Sequence, residues 1–236
     1  MIPFSFLKET RSTLIDVYSA YFLQAKLPAQ SRVEWSCVYS SLVDGSSWNM
    51  LKKVIEKTGS LIILVSESMN LENVFGVYID KELEKSSKWG GNNDNFLFIL
   101  SKQEKTGLNK FASFRGSGIN SNFQYYNYGT ETLPNGVGFG GQLEYFGFWI
   151  SASLNEGHSY PSATYSNSEP ISPLNNFVPG IVEVFLVKKT TNHLFIDEFE
   201  TDSDACNSAI KNNPEATAIL ELANKKLYSK DFAENQ

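Results

Sequence analysis

Gly136, Gly138 and Gly141 have the spacing G-x-G-x-x-G, the pattern in which backbone amides at a strand-to-helix turn cradle a dinucleotide pyrophosphate. That chemistry requires a helix to open directly after the third glycine. Here Gln142 to Ile150 follows, a stretch rich in aromatic residues and without an N-cap residue, which reads as a strand. No Lys-Ser/Thr pair of a P-loop follows either. The glycines are better read as places where the backbone turns sharply or approaches another segment closely, ahead of an aromatic strand that enters a core. Pro134-Asn135-Gly136 is a turn signal, so the glycine run is expected to be a loop.

Thiol chemistry is the other reaction the residue types allow. Cys37 with His158 would make a nucleophile and a base, and a peroxide-handling enzyme would use Cys37 as an accessible thiolate. Against this, Trp35, Cys37 and Tyr39 alternate with Ser36, Val38 and Ser40, so Cys37 reads as a core residue of a half-buried strand. His158, in Gly157-His158-Ser159, reads more simply as a loop histidine bonded locally than as a ligand or switch. Asp44, in Asp44-Gly45-Ser46-Ser47, is a turn and capping residue. Glu183 interrupts an apolar strand. It is either a solvent-facing alternate residue or a buried partner for a basic group, and the pattern fits both. No carboxylate pair has acid/base spacing, and the two His and two Cys lack metal-ligand spacing. No metal and no cofactor are expected, and binding is favoured over catalysis.

The elements that must position these residues follow from periodicity. Residues 4–27 place apolar side chains at helical spacing and predict one or two helices ending near Pro28. Strands are predicted over 34–43, 61–68, 73–79, 95–101, 110–116, 122–128, 144–151 and 180–189, with one helix from about 48 to 57. Residues 155–179 form a long irregular segment rich in Ser, Pro and Asn, a kind that is often functional. Strands joined by short turns, with few helices between, argue for an α+β fold: two antiparallel sheets packed as a sandwich with flanking helices. After an acidic linker, Asn213-Pro214-Glu215 caps an amphipathic helix. Its apolar stripe is Ala216, Ile219, Leu220, Ala223 and Leu227, a stripe suited to docking on a partner. The organisation read from this is an N-terminal helical segment (1–32), a central domain (33–189), a linker (190–212) and a C-terminal amphipathic helix and tail (213–236).

Composition narrows the classes. The chain has 236 residues, 42% of them hydrophobic, enough for a core, and its 17 Phe and 11 Tyr lean toward β-structure. A net charge of −6 argues against nonspecific nucleic-acid binding. Two distant cysteines, Cys37 and Cys206, fit a reduced intracellular compartment better than a disulfide framework. No apolar run reaches the length of a membrane span, and the opening residues lack both signal-peptide order and a glycine at position two. A cytoplasmic protein without direct membrane insertion is expected.

An ordered set of short motifs points further. Tyr39-Ser40-Ser41 with Asp44-Gly45, then Val74-Phe75-Gly76, Phe96-Leu97-Phe98 and Asn122-Phe123-Gln124-Tyr125 come first. The run from Gly136 to Gly141 with Gly140, then Phe146-Gly147-Phe148-Trp149, Thr164-Tyr165, Asn176-Phe177 and Val182-Glu183-Val184-Phe185 complete it. Together, over roughly residues 33–189, they resemble the TLDc domain family. Leu133-Pro134-Asn135-Gly136, Gly140-Gly141-Gln142, Gly157-His158-Ser159 and the tail Asn213-Pro214-Glu215-Ala216 are similar to its mTOR-associated eak-seven subfamily. Phe185 stands where the family commonly has Trp, and Gly76 is followed by Val77-Tyr78-Ile79 where it often has Gly-Phe-Ala. The resemblance implies a noncatalytic regulator that binds cytosolic subunits of the vacuolar-type proton-pumping ATPase, with the tail helix as a second contact. It also implies links to lysosomal mTOR signalling, with mTOR pathway components as further partners, and to oxidation resistance. The implied location is peripheral to lysosomal or endosomal membranes. In such a domain Asp44, Gly45, Gly76, the four glycines from 136 to 141, Gly147, Trp149, His158 and Glu183 are motif residues that shape the fold. Residues 1–32 stand in place of a longer N-terminal half, so a fragment or a reduced homologue is expected. An adaptor for other partners is a further reading.

Overall fold

Leu61-Ile62-Ile63-Leu64-Val65 is apolar at every position, as a strand covered on both faces must be. The computed structural model of the chain describes residues 11–68, 70, 72–103 and 108–190, and shows that cover. Eleven strands form two antiparallel sheets among these residues. The first sheet has the order β1-β11-β2-β3-β4-β5, built from β1 (Glu34–Ser40), β11 (Pro179–Lys188), β2 (Leu61–Glu67), β3 (Val74–Ile79), β4 (Phe96–Gln103) and β5 (Leu108–Arg115). The second has the order β10-β9-β8-β7-β6, built from β10 (Asn176–Phe177), β9 (Gly157–His158), β8 (Tyr145–Ser151), β7 (Gly136–Gln142) and β6 (Tyr125–Asn127). The architecture is the expected α+β sandwich.

Side chains alternate across each strand and so divide between two cores. Ile63, Val65, Phe75, Val77 and Val184 of the first sheet meet Val137, Phe139, Phe148 and Ile150 of the second in the inter-sheet core. Ile62, Leu64, Tyr78, Phe98 and Phe185 face the other way, under helix α1 (Val17–Lys26). Asp16 caps α1 by accepting from the Ser19 amide at 2.8 Å, and the chain leaves the helix at Leu27, ahead of Pro28. α1 buries Ser19, Ala20, Leu23 and Gln24, and the C-cap residue Leu27 joins Ala20 and Leu23 in this core. Two short helices follow β1: α2 (Ser41–Asp44) and α3 (Trp48–Ile55), the latter seated through Leu51 and Ile55.

Several expectations are corrected. Residues 4–27 are not helical throughout. Arg11 to Asp16 is irregular, because Ser12 and Thr13 spend their hydroxyls on Glu183 rather than on a helix turn; residues 4–10 lie outside the described residues. Trp35, Cys37 and Tyr39 do not share a face. A register shift between Cys37 and Tyr39 leaves Trp35 and Cys37 under α1 and turns Tyr39 into the inter-sheet core. The glycine run is not a loop but β7, a ladder strand between β6 and β8. The strand expected over 122–128 is limited to β6. The irregular 155–179 segment contributes β9 and β10 to the second sheet. The linker from 191 on and the tail helix, with Ala216, Ile219, Leu220, Ala223 and Leu227, lie outside the described residues.

Candidate functional site

Strand alternation places Glu183 on the same face of β11 as Ile181 and Phe185, toward the N-terminal segment. Its carboxylate is fully buried and accepts from Ser12 Oγ at 2.5 Å, Thr13 N at 2.8 Å, Thr13 Oγ1 at 3.2 Å and Ser40 Oγ at 3.5 Å. Of the two readings, burial is the right one, but the partners shown are hydroxyls and an amide. Beside it, Asp44 accepts from Ser40 N at 2.9 Å and from Arg11 Nη2 at 2.7 Å. The Ser40 amide first, and Arg11 second, hold its carboxyl below the usual range. Gly45 ends α2 at φ +83°, and its carbonyl accepts from the Tyr39 hydroxyl at 2.8 Å. Residues 11–13 are thereby stitched onto the sheet through two carboxylates.

Cys37 lies next to this stitch. It is half-buried, and its thiol donates to the Tyr39 carbonyl at 3.5 Å. Burial, and then the charge of Glu183, push the thiol up to about 11. A peroxide-reducing cysteine needs the opposite shift. His158 is in β9 of the other sheet, so the structure does not join the two residues into a catalytic pair.

On the second sheet, Tyr125, Gly138, Trp149 and His158 form one cross-strand row over β6, β7, β8 and β9. Gly138 is the gap in that row. A Cβ there would lie 2.4 Å from Phe146 Cδ1, so the missing side chain is the seat of the Phe146 ring. Phe146 in turn stacks on Trp149 at 4.5 Å between centroids, with Tyr125 and Trp89 against them. Gly140 and Gly141 have φ of +69° and +82°, which a side chain would strain. Gly136 abuts the Ile150 carbonyl, Gly147 abuts the Phe139 carbonyl, and Gly76 of β3 lies between Ile63 O and Phe98. These glycines permit close packing of strands and rings, and no helix follows β7 to hold a phosphate.

His158 is the next member of the row, ahead of Asn176 on the edge strand β10. Its Nε2 accepts from the Phe146 amide at 3.3 Å, and its ring lies against Phe146, Trp149 and Tyr160. Burial, partly offset by Glu156, lowers its pKa to about 4, so the ring is neutral at pH 7. A cleft of about 570 Å³ opens here, lined by Trp149, His158, Phe177 and Val178 together with Glu67 and Glu156.

A second cleft, of about 830 Å³, lies at the end of β3 and carries charges of both signs, including Asp80, Glu82, Lys81 and Lys189. Asp80 is its organising residue, and sequence reasoning missed it. Tyr78 Oη, Asn92 Nδ2 and Lys189 Nζ reach its carboxylate at 2.9, 2.9 and 2.8 Å. Burial alone would raise this carboxyl, but Lys189, Asn92 and Tyr78 outweigh it and the net shift is downward. The readable signal was a lone acid ending a wholly apolar strand. Among the described residues no group of three or more His, Cys, Asp or Glu is placed to hold a metal.

The motif order, the two-sheet architecture and the glycine strand agree with a direct sequence match: the sequence model of the TLDc domain covers residues 8–188. The chain belongs to the TLDc domain family. The TLDc match begins ahead of Ser12, so the stitch to Glu183 lies within it. Among curated proteins, the chain is 30% identical over 224 residues to MTOR-associated protein MEAK7 of Mus musculus, covering 94% of the chain and 46% of that relative. The MEAK7 proteins of Homo sapiens and Gallus gallus are 29% and 28% identical over 224 residues, covering 46% and 44% of those relatives. The chain thus spans about half the length of the curated relatives it matches. The coverage of 94% passes beyond the TLDc domain, since residues 1–188 are 188 of 236.

Proposed function

We propose that this chain is a noncatalytic regulatory module that works by binding other proteins in an mTOR-linked setting. The observation that carries the reading is the match to MTOR-associated MEAK7 proteins, which extends past the TLDc domain into the tail. In this reading the TLDc domain binds cytosolic subunits of the vacuolar-type ATPase at lysosomal or endosomal membranes. The tail helix, through Ala216, Ile219, Leu220, Ala223 and Leu227, makes the second contact. The protein acts from the cytosolic side; no described helix is long and apolar enough to cross a membrane. A role in oxidation resistance is then indirect, because the raised pKa of Cys37 opposes thiolate chemistry.

The test is capture of detergent-solubilised vacuolar ATPase by the whole chain, by a version ending at Lys189, and by Leu220→Asp. Strong capture by the whole chain and weaker capture by both variants is expected, since each buried Leu or Ile of the tail contributes about 1.5–3 kcal/mol before ordering costs. Equal capture by all three removes the tail from the interface. No capture by any of them overturns the ATPase reading. Peroxide consumption that drops in Cys37→Ser would overturn the noncatalytic one.

A further inference from the structure

We propose that β5, the outermost strand of the six-stranded sheet, is paired by an extended segment of a partner protein that carries an acidic residue at each end of a short apolar stretch. The two sheets end in β1, β5, β6 and β10. An edge strand presents a row of N–H and C=O groups, and proteins guard such rows with bulges, very short strands or covering chain. β1 is bent by the register shift between Cys37 and Tyr39. β10 has only two residues. β6 is covered: the Ser86 amide donates to the Tyr126 carbonyl at 2.9 Å, and Gly90 bridges to Gln124 beside it. β5 has none of these devices. It runs for eight residues, from Leu108 to Arg115, and pairs with β4 in one unbroken register. Among the described residues no backbone group is bonded to its outer side.

The side chains describe the occupant. Phe111, Ala112, Ser113 and Phe114 are half-buried, and the exposed Lys110 and Arg115 bracket them. Alternation puts Phe111, Ser113 and Arg115 on the α1 side, where Phe22 stacks on Phe111 at 5.2 Å. Lys110, Ala112 and Phe114 point to the other face, where Ala112 and Phe114 reach the inter-sheet core. An added strand with an apolar centre covers what Phe111 and Phe114 leave open on both faces. Its main chain supplies the affinity and its alternate side chains the specificity. The charges at the two ends select the partner: neither Lys110 nor Arg115 is in an ion pair among the described residues. Arg115 donates from Nη2 to the Lys26 carbonyl and keeps other N–H groups to give. A carboxylate directly across from each is therefore favoured, and a basic strand is repelled.

The inference deepens the reading of the chain as an interaction module, and its test addresses β5 alone. The isotope-labelled full chain is titrated with acetyl-Glu-Val-Thr-Val-Val-Glu-amide. Saturable shifts confined to β5, β4 and the adjoining side of α1 are expected, with amide exchange slowed at alternate residues from Phe111 to Arg115. N-methylation of the peptide along one of its edges abolishes binding and along the other does not, because a strand pairs through one edge at a time. The peptide with lysine in place of both glutamates binds about threefold more weakly or worse, and Lys110→Glu weakens the glutamate peptide by a similar factor. Shifts centred elsewhere, equal tolerance of both N-methylated forms, or indifference to the peptide's charge overturns the assignment. So does concentration-dependent self-association that slows β5 exchange without peptide, which would make a second copy of the chain the occupant. A failed titration leaves the capture of the ATPase untouched, and a failed capture leaves the peptide result untouched.

Discussion

The six-stranded sheet hides its outer face under other chain, whereas the five-stranded sheet hides its own under its own rings. On the first, α1 and the irregular Arg11–Asp16 segment lie over Ile62, Leu64, Phe98 and Phe185, with Glu183 as a polar anchor in the middle. On the second, Tyr125, Phe146 and Trp149 pack with Trp89 around the gap at Gly138, and the cover stops at a cleft. The first device joins residues 171 positions apart, Ser12 and Glu183, and leaves the face closed. The second uses neighbouring strands, and its rings are as buried as any core residue: Tyr125, Phe146 and Trp149 are all under 9% exposed. The cover made of side chains stops short of the sheet margin, where the cleft of about 570 Å³ opens.

Substitutions can break this contrast. The largest effect is expected at Leu23, the buried centre of α1: Leu23→Ala should lower stability by about 2–5 kcal/mol, read as a drop in melting temperature. A loss well under that range would mean that α1 is a decoration of the first sheet. On the other face, Gly138→Ala should cost about 1–3 kcal/mol by displacing Phe146, and should shift the Trp149 indole N–H resonance, whereas Leu23→Ala should shift that of Trp35, its neighbour under α1. Wild-type stability in that variant would show that the ring cover is loose.

Glu183→Ala is expected to fall in a similar range, about 1–3 kcal/mol, because the Thr13 amide and the Ser12 hydroxyl lose their acceptor. A double-mutant cycle with Ser12→Ala sharpens this. Additive losses would separate the two residues, while a shared loss confirms the stitch.

The smallest effect is a pH dependence. His158 titrates at about 4 when folded against about 6.5 unfolded, so between these values the unfolded chain binds more protons. Its contribution is present above pH 6.5 and is lost as pH falls toward 4. In His158→Gln the slope of melting temperature against pH should flatten in that window. An unchanged slope would assign the acid sensitivity to other groups.

The parts of this fold readable along the chain are those whose signals are local. The alternating and continuous apolar runs announced β2, β3, β4, β8 and β11, and the Ser47 to Ile55 pattern announced α3. The motif order announced the TLDc family. β7 was misread because glycine is a poor strand former by propensity, and its strand character comes from ladder partners on both sides. The non-helical stretch before α1 was misread because helical spacing is present there, but the competing partner, Glu183, is far away in sequence.

What the sequence by itself determined is the α+β sandwich, its family and the aromatic strand, in place of a helix, after the glycine run, since each depends on residue types at short spacing. What only the tertiary structure decided is the environment of single groups. Glu183 is buried against hydroxyls, Cys37 is a thiol of raised pKa, His158 is a neutral acceptor, and Glu67 and Glu156 share one cleft. Charge and hydrogen bonding inside a protein depend on distance and desolvation, and both are set by segments that meet only when the two sheets close.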